Sequence, residues 1–309
     1  MASRKQNNQQ HLIVVGGPTA SGKTSLAIQI ALRYRAEIIS ADSRQFYREM
    51  TIGTAKPSTS ELQQVRHHFI NSLSVLDDYS VGDFEQQAMD TLGHLFEKHP
   101  VVVAVGGSGL FLHALCQGLD AFPPILPAVK EQVKTELEEK GINWLQETVR
   151  SLDPKFYAKA DIQNPARLRR AVEVCLSSGQ PYSSFLGKTS QIRNFQIHYL
   201  LPEWDREVLY DRINQRVDLM IAQGLEEEVF HLRPMEHRTA LKTVGYEEWI
   251  PFFEGKIQRE EVIDKIKQHS RNYAKRQLTW FRKYGHWVPM KEGELESAFE
   301  VLEKEIQLG

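Results

Sequence analysis

Cysteine is scarce in this chain, and long hydrophobic runs are absent. Only two cysteines occur among 309 residues, Cys116 and Cys175, in unrelated contexts. They exclude a disulfide scaffold and a cysteine-rich zinc site, and so few cysteines fit a reducing cytosol. No apolar stretch approaches the roughly 20 residues of a transmembrane helix, and Met1–Gln10 is too polar for a signal peptide. We expect a cytoplasmic protein that does not enter a membrane.

An excess of charge of either sign is also absent. The 38 Lys and Arg residues nearly balance the 40 Asp and Glu residues, which leaves a formal net charge of −2. The overall charge of the chain therefore gives no indication of nucleic-acid binding. The length allows one large domain or two of ordinary size.

The most informative stretch is Gly17–Thr24, which follows the apolar run Leu12–Val15 and precedes a helical pattern at Ser25–Leu32. It fits the phosphate-binding P-loop pattern G-x-x-x-x-G-K-[ST] in the required strand–loop–helix context. Glycines let backbone N–H groups turn toward phosphate oxygens, and the helix N-terminus adds its positive dipole end. The candidate phosphate-binding residues are Gly17, Pro18, Thr19, Ala20, Ser21, Gly22, Lys23 and Thr24. The Lys23 charge and the Thr24 hydroxyl, a candidate Mg²⁺ ligand, complete a site for a diphosphate or triphosphate.

Residues 11–118 alternate between strand-like and helix-like patterns. Leu12–Val15, Glu37–Ser40 and Val101–Val105 are predicted strands, and the last is a continuous apolar run typical of a buried parallel strand. We expect an α/β fold, with a parallel sheet of the P-loop NTPase kind flanked by helices. The loops that follow the strands then share one edge of the sheet, where ligands bind in such folds.

The pattern changes after Phe122-Pro123-Pro124, beyond which charged helices are predicted. Phe195–Leu201 resembles a strand that rejoins the sheet, so we interpret the helical stretch as an insertion. The long helices predicted after it are Glu207–Ile221 and Arg259–Lys283. The predicted organisation is a core over residues 1–121, an inserted helical domain over 122–194, and a return to the core with a helical, basic C-terminal region over 195–309.

An acid is missing where an ordinary P-loop ATPase has one. Such enzymes place a carboxylate at the end of an apolar strand to position Mg²⁺ or water, but Val101–Val105 ends in Gly106-Gly107-Ser108-Gly109. The only acid in a comparable place is Asp42, after the second strand. Asp42 is a candidate general base or metal support, with a turn residue as the alternative. The Ser108 hydroxyl is a candidate for contact with a phosphate or leaving oxygen, with an ordinary turn serine as the alternative.

Two arginines in the predicted helix Glu207–Ile221 lie four residues apart. Arg212 and Arg216 therefore share a helix face. Two guanidinium groups on one face suit a diphosphate. Ordinary pairing with nearby aspartates is the alternative.

Local basic patches do occur. From Lys265 to Lys291 there are eight Lys and Arg residues and no acid, interleaved with aromatics such as Tyr273 and Trp280. Basic side chains bind a phosphate backbone and aromatic rings stack unpaired bases, so the pattern favours nucleic-acid contact. A solvated helix face with aromatics in the core is the alternative. A second cluster, Arg167–Arg170, lies in the helical insertion and has a solvated helix face as its alternative.

Taken in chain order, these motifs resemble the bacterial tRNA dimethylallyltransferases, also called tRNA isopentenyltransferases. The blocks that carry the resemblance run almost from end to end. They are Gly17–Thr24, Ser40–Tyr47, Ile52–Pro57, His67-His68, Val105–Ser108, Arg167–Ala171, Arg212–Arg216, Val244–Tyr246 and Ala274–Trp280. The P-loop block alone is weakly specific, whereas the ordered series is highly specific.

The resemblance implies transfer of a dimethylallyl group from dimethylallyl diphosphate to N6 of adenosine 37, beside the tRNA anticodon. The P-loop and Arg212 would hold the prenyl diphosphate, with Mg²⁺ as cofactor on Thr24. Asp42 would accept the proton of the adenine amine, Ser108 would lie near the bridging oxygen, and Arg216 would stabilise the leaving group. The adenine must leave its stack to reach the loop, so base flipping is expected.

The resemblance also implies a contact surface for the anticodon stem-loop, and we expect a monomer. The implied tRNA-contacting residues are Asp42, Ser43, Arg44, Gln45, Lys130, Ala166, Arg167, Leu168, Arg169, Arg170, Lys242, Thr243, Val244, Gly245, Tyr246, Glu247, Lys275, Arg276, Gln277, Trp280 and Arg282.

The chain departs from the family pattern in four places. Thr51 replaces an Asp, Ile162-Gln163-Asn164 replaces Pro-Asn-Asp, Lys130 replaces a common Arg, and Ser108 replaces Thr while keeping the hydroxyl. The first three concern tRNA contact rather than the reaction. Three other functions compete: an adenine-nucleotide prenyltransferase, a P-loop small-molecule kinase, and a non-catalytic RNA-binding protein.

Overall fold

The computed structural model describes residues 9–187, 192–291 and 295–306. Its strands are β1 (His11–Gly16), β2 (Ile38–Ser40), β3 (His67–His68), β4 (Val101–Gly106), β5 (Gln196–Glu203) and β6 (Val288–Lys291). They form one parallel sheet in the order β3-β2-β4-β1-β5-β6. The register sets His11 of β1 opposite Val101 of β4 and Gln196 of β5. The carboxyl ends of the strands therefore meet at one edge, and the predicted parallel sheet is confirmed.

Helices account for most of the remaining described residues. They are α1 (Lys23–Tyr34), α2 (Thr59–Gln64), α3 (Val81–Phe96), α4 (Gly109–Gln117), α5 (Pro127–Leu152), α6 (Pro154–Tyr157), α7 (Pro165–Ser178), α8 (Arg206–Ala222), α9 (Leu225–Leu232), α10 (Ile250–Phe253), α11 (Arg259–Lys283) and α12 (Leu295–Glu305). Both α2 and α3 begin with a capping box, at Ser58 and Ser80, which satisfies amides that the first turn leaves unpaired. Across the described ranges, no helix is long and apolar enough to cross a membrane.

The sheet is buried on both faces. Every residue of β1 and β4 is buried, which explains why both strands are nearly continuous apolar runs. On one face α1 and α12 pack against the sheet, with Ile28 and Leu302 in that core. On the other face α3 and α4 pack, together with Phe281 of α11. Each large apolar side chain buried in this way stabilises the fold by roughly 1.5–3 kcal/mol.

Two strands escape sequence prediction. β3 has two residues and β6 has four, which is too short for a periodic signal. β6 lies in the region expected to be helical, and it pairs with β5 so that Val288 lies opposite Leu200. The C-terminal region thus adds an edge strand to the sheet as well as helices.

The chain divides into two compact units. The sheet unit contains the residues up to Cys116 and those from Arg193 onward, and the helical unit is Gln117–Ile192. The predicted insertion, 122–194, overlaps the helical unit.

Inside the helical unit, α5 and α7 pack through an apolar core that includes Val133, Leu145 and Leu168. Gly141, with a φ of 69°, interrupts α5. Glycine adopts this left-handed conformation at little cost, so it suits the break.

A separate apolar cluster lies within the sheet unit. It packs α8, α9 and α11 around Trp249, which is completely buried. Val217 of α8 and Ile266 of α11 belong to this cluster. The cluster fixes α8 and α11 beside the loops that follow β1, β2 and β4.

Candidate active site

The P-loop joins β1, which ends at Gly16, to α1, which begins at Lys23. Gly22 precedes the helix with a φ of 82°, a left-handed conformation that glycine adopts without the usual steric cost. Ala20 is also left-handed, with a φ of 62°, which is strained for a residue with a Cβ. The loop thus leaves the N-terminus of α1 facing an anion site.

Two side chains support the P-loop from outside. Trp204 donates its Nε1–H to the Ser21 carbonyl at 2.8 Å, and Arg212 donates its Nε–H to the Ala20 carbonyl at 2.9 Å. The Arg212 guanidinium lies 3.9 Å from the centre of the Trp204 ring, within cation–π range. Arg212, expected to bind diphosphate, therefore also holds the loop backbone.

Lys23 and Arg216 bring positive charge to the inner side of the loop. Burial lowers the pKa of Lys23 to about 8, while Asp42 opposes this shift and Arg216 adds to it. Burial also lowers the pKa of Arg216, again opposed by Asp42. The Arg216 Nε is buried and has no hydrogen-bond partner within the described part of the chain. An unpartnered buried donor is costly unless a ligand satisfies it, so this geometry suits an incoming anion.

Asp42 lies where β2 leaves the sheet. Gly106, at the end of β4, lets the two strand ends meet, because a Cβ there would lie 2.5 Å from the Ala41 carbonyl oxygen. The Arg44 amide donates to Asp42 Oδ1 at 3.3 Å, which closes a short turn. The other Asp42 face is directed into the same cavity as Lys23.

Ser108 lies beside the Asp42 turn. Its Oγ accepts the Ser43 amide at 3.1 Å and lies 3.1 Å from Ser43 Oγ. Desolvation raises the pKa of Tyr273 to about 12, with Asp42 adding to the rise and a hydrogen bond from Ser108 opposing it. Tyr273 therefore stays a neutral hydroxyl at physiological pH and joins Ser108 in this polar cluster.

Gln277 of α11 connects the two loops that frame the site. The Thr19 amide donates to Gln277 Oε1 at 3.0 Å, and Gln277 Nε2 donates to the Gly107 carbonyl at 2.8 Å. A Cβ at Gly107 would lie 2.5 Å from Gln277 Nε2. We expected Gln277 to contact tRNA, but its side chain is buried and both amide atoms bind loops of this site.

Several of these residues line one cavity of about 110 Å³, whereas Ser108 and Arg212 are not part of its lining. Its lining includes polar residues, among them Thr19, Lys23, Thr24, Asp42, Arg216 and Gln277. It also includes the apolar residues Ala55, Ile213, Val217, Met220, Val244 and Ile266. The cavity thus suits a ligand that carries both an anionic group and a small apolar group.

Comparison with known proteins identifies the family. The pattern described as "IPP transferase" matches residues 45–284. The chain belongs to the IPP transferase family. The tRNA dimethylallyltransferase of Christiangramia forsetii is 52% identical to it, over 88% of this chain and 90% of the relative. That of Flavobacterium psychrophilum is 47% identical, over 88% and 91%. The resemblance inferred from the motifs is confirmed.

Solved structures share the fold of this IPP transferase family member. The tRNA delta(2)-isopentenylpyrophosphate transferase from Staphylococcus epidermidis is 36% identical with a TM-score of 0.69, and the match covers 96% of this chain and 100% of that chain. A eukaryotic dimethylallyltransferase, described as acting on tRNA, is 22% identical with a TM-score of 0.81 over 95% and 78% of the chains. The second match, at this identity, bears on the fold alone.

Several expected tRNA-contacting residues of the sheet unit bind other parts of the protein. Arg44 donates to the carbonyls of Thr239 and Lys242 at 3.1 and 3.2 Å. Tyr246 is 2% exposed, and Gly245 is also buried, whereas Lys242 and Glu247 are exposed. The surface of this segment is thus formed by its two ends.

The basic segment of α11 separates into paired and exposed residues. Lys267 pairs with Asp218 at 2.6 Å, and Arg271 donates to Asn214 at 2.6 Å. Lys275, Arg276 and Arg282 are exposed. Phe281 is buried and a Cβ on Gly109 would collide with the Trp280 ring, whereas Tyr273 and Tyr284 are exposed. The segment is therefore part core and part exposed cationic surface.

In the helical unit, the expected tRNA-contacting residues mostly face outward. Lys130, Ala166, Arg167, Arg169 and Arg170 are exposed. Leu168 is completely buried in the core of the unit, so its side chain has no surface to offer RNA. This correction follows from helix geometry, because a residue within a basic run still turns inward every third or fourth position.

The residues present fit Mg²⁺ bound chiefly through a diphosphate. Over the described ranges, no group of three or more His, Cys, Asp or Glu side chains could hold a metal. Mg²⁺ commonly keeps several waters and takes few protein ligands when it binds phosphates. Thr24, at the start of α1, and Asp42 are oxygen donors on the wall of the same cavity. This donor set suits a hard cation that takes one or two ligands from the protein.

Proposed function

We propose that the chain is a tRNA dimethylallyltransferase. It transfers the dimethylallyl group of dimethylallyl diphosphate to N6 of adenosine 37 in tRNA and releases diphosphate, forming N6-(dimethylallyl)adenosine. The observation that carries the proposal is that Lys23, Arg216 and Asp42 line one and the same cavity together with apolar side chains. Membership of the IPP transferase family supports the same reaction.

The cations of the cavity act on the leaving group. The bond between the allylic carbon and the bridging oxygen breaks, and the diphosphate keeps the electron pair. Lys23, the Arg216 guanidinium and the amides of the P-loop stabilise the negative charge that develops. The buried Nε–H of Arg216 gains an acceptor when the diphosphate binds. Ser108 and Tyr273 are hydroxyl donors suited to the bridging oxygen.

The carboxylate of the cavity acts on the nucleophile. N6 of adenine forms the new bond to the allylic carbon and loses a proton, which Asp42 accepts. No water has to be activated, which accounts for β4 ending in glycines and Ser108 rather than in an acid. The apolar wall, which includes Val217 and Ile266, excludes water from the reactive carbon.

Bound through Thr24, Mg²⁺ would neutralise charge on the diphosphate. The exposed cations Lys275, Arg276 and Arg282, with Arg167 and its basic neighbours, would bind the phosphates of the anticodon stem-loop. Adenosine 37 would flip from its stack into the cavity. A monomer and a cytoplasmic location stay predictions, and light scattering on the purified protein tests the first.

A comparison of acceptor substrates tests the proposal. The protein is incubated with labelled dimethylallyl diphosphate and either unmodified tRNA or AMP, and in parallel with ATP and tRNA. We expect label on tRNA only and no ATP turnover. Label on AMP would indicate an adenine-nucleotide prenyltransferase, and ATP turnover would indicate a kinase. No transfer to any acceptor would end the enzyme assignment.

A further inference from the structure

Glu228, near the middle of α9, binds a loop that lines the cavity, over residues 51–55. Its Oε2 accepts the amides of Thr51 and Ile52 at 2.9 and 2.8 Å. Its Oε1 accepts the Gly53 amide at 3.1 Å and the Tyr246 hydroxyl at 2.6 Å. One carboxylate thus satisfies three successive backbone donors and a side-chain donor. Hydrogen bonds to a charged acceptor are stronger than neutral ones, roughly twofold.

Tyr246 presses the same loop from the other side. A Cβ on Gly53 would lie 2.5 Å from the Tyr246 ring, so ring and backbone are in direct contact. Burial, together with Glu228, raises the pKa of Tyr246, and its hydroxyl therefore remains a donor. The segment that carries Tyr246 is itself held by a second acid, the buried Glu248, which accepts the Gly245 amide at 2.8 Å.

The loop held in this way forms part of the cavity wall and binds the Asp42 turn. Gly53, Thr54 and Ala55 line the cavity. Gln45 donates its Nε2–H to the carbonyls of Thr54 and Ala55 at 3.3 and 3.2 Å. The Gln45 amide in turn donates to the Asp42 carbonyl at 3.1 Å. A continuous series of hydrogen bonds therefore leads from Glu228 through the loop to the proposed base.

We propose that Glu228 is a positioning residue that holds the loop 51–55, and through Gln45 the Asp42 turn, in the geometry needed for proton abstraction. The inference rests on the proposed prenyl transfer. Glu228 does not line the cavity, so it acts only through these neighbours. The diphosphate side of the cavity is held by different contacts, those of Gln277 and Arg212.

The substitution that tests the proposal is Glu228→Gln, which keeps the size of the side chain and replaces one acceptor oxygen by an amide nitrogen. Each carboxylate oxygen faces two donors, so the new amide nitrogen meets donors whichever way it turns. A displacement near 1 Å at a reacting group costs about 100-fold in rate. We expect the single-turnover rate with unmodified tRNA to fall about 100-fold. The KM for dimethylallyl diphosphate should stay within about threefold of wild type, because its proposed contacts are untouched.

Two further variants make the test specific. Glu227→Gln removes the same charge from the exposed neighbour on α9 and should leave the rate unchanged. Tyr246→Phe removes one donor of the four and should lower the rate less than Glu228→Gln does. It also provides the readout if Glu228→Gln fails to fold, which thermal melting detects. A wild-type single-turnover rate in Glu228→Gln would overturn the proposal. If that variant does not fold, a wild-type rate in Tyr246→Phe would overturn it. So would a loss seen only in the KM for the diphosphate. A wild-type protein without transfer would instead overturn the proposed function.

Discussion

At the scale of single residues, the site brings together side chains of opposite charge in a cavity where burial reduces their solvation. Lys23, Asp42 and Arg216 share one cavity, and burial lowers the pKa values of both cations. The motifs predicted these three residues from local patterns. Lys23 belongs to the P-loop, Asp42 follows a predicted strand, and Arg216 lies on a predicted helix face. They did not predict the role of Gln277, whose partners Thr19 and Gly107 lie 258 and 170 residues away in the chain. Contacts over such separations leave no local spacing to detect.

We expect the binding of prenyl diphosphate to depend on pH through Lys23. In the free protein its pKa is about 8, and a bound diphosphate raises it because opposite charge favours the protonated form. Above pH 8 the protein must therefore take up a proton to bind. We expect affinity to fall by up to about tenfold per pH unit above that point, measured by calorimetry with dimethylallyl diphosphate. In Lys23→Met the slope should disappear, whereas an unchanged slope would assign the titration to another group.

At the scale of elements, α11 packs closely against two glycines that follow β4. Its bounds, Arg259–Lys283, match the sequence prediction because the helix is long and strongly periodic. The packing of α11 was not predictable from its own sequence, because it depends on glycines in distant segments that leave room for its side chains. Gly107 accommodates Gln277, and Gly109 accommodates the Trp280 ring. The short strands β3 and β6 were missed because two to four residues show no period.

Gly109→Ala tests the seating of α11. The added methyl would collide with the Trp280 ring, and overpacking of this kind costs about 1–3 kcal/mol. We expect the free energy of unfolding in urea to fall by that amount. Gly93→Ala is the matched control, because the new Cβ would have no heavy atom within 4 Å in α3. It should be neutral or stabilising, and equal losses in both variants would contradict the packing account.

At the scale of the whole molecule, a chain of net charge −2 must bind an RNA polyanion through local surfaces. We expect the exposed cations to supply them: Lys275, Arg276 and Arg282 in the sheet unit, and Lys130, Arg167, Arg169 and Arg170 in the helical unit. The sequence predicted both clusters, and burial decides which members reach solvent. Leu168 and Gln277, each within such a cluster, do not.

The salt dependence of tRNA binding tests whether the exposed cations, rather than the paired ones, contact phosphates. Each phosphate contact contributes about 0.7–0.9 to the slope of log affinity against log salt. Lys275→Ala should reduce the slope by roughly one contact, because Lys275 is exposed. Lys267→Ala should leave it unchanged, because Lys267 is already paired with Asp218. An equal reduction in both variants would contradict the assignment of a surface by exposure.

The central claim is that one cavity holds a leaving diphosphate and a base for an adenine amine. Mass spectrometry of tRNA after incubation with dimethylallyl diphosphate tests it most directly. The account predicts one added dimethylallyl group at N6 of adenosine 37 with the wild type. With Asp42→Asn it predicts a rate lower by about 10²–10⁴-fold, with binding of the diphosphate retained. No modification by the wild type, or an undiminished rate in Asp42→Asn, would contradict it.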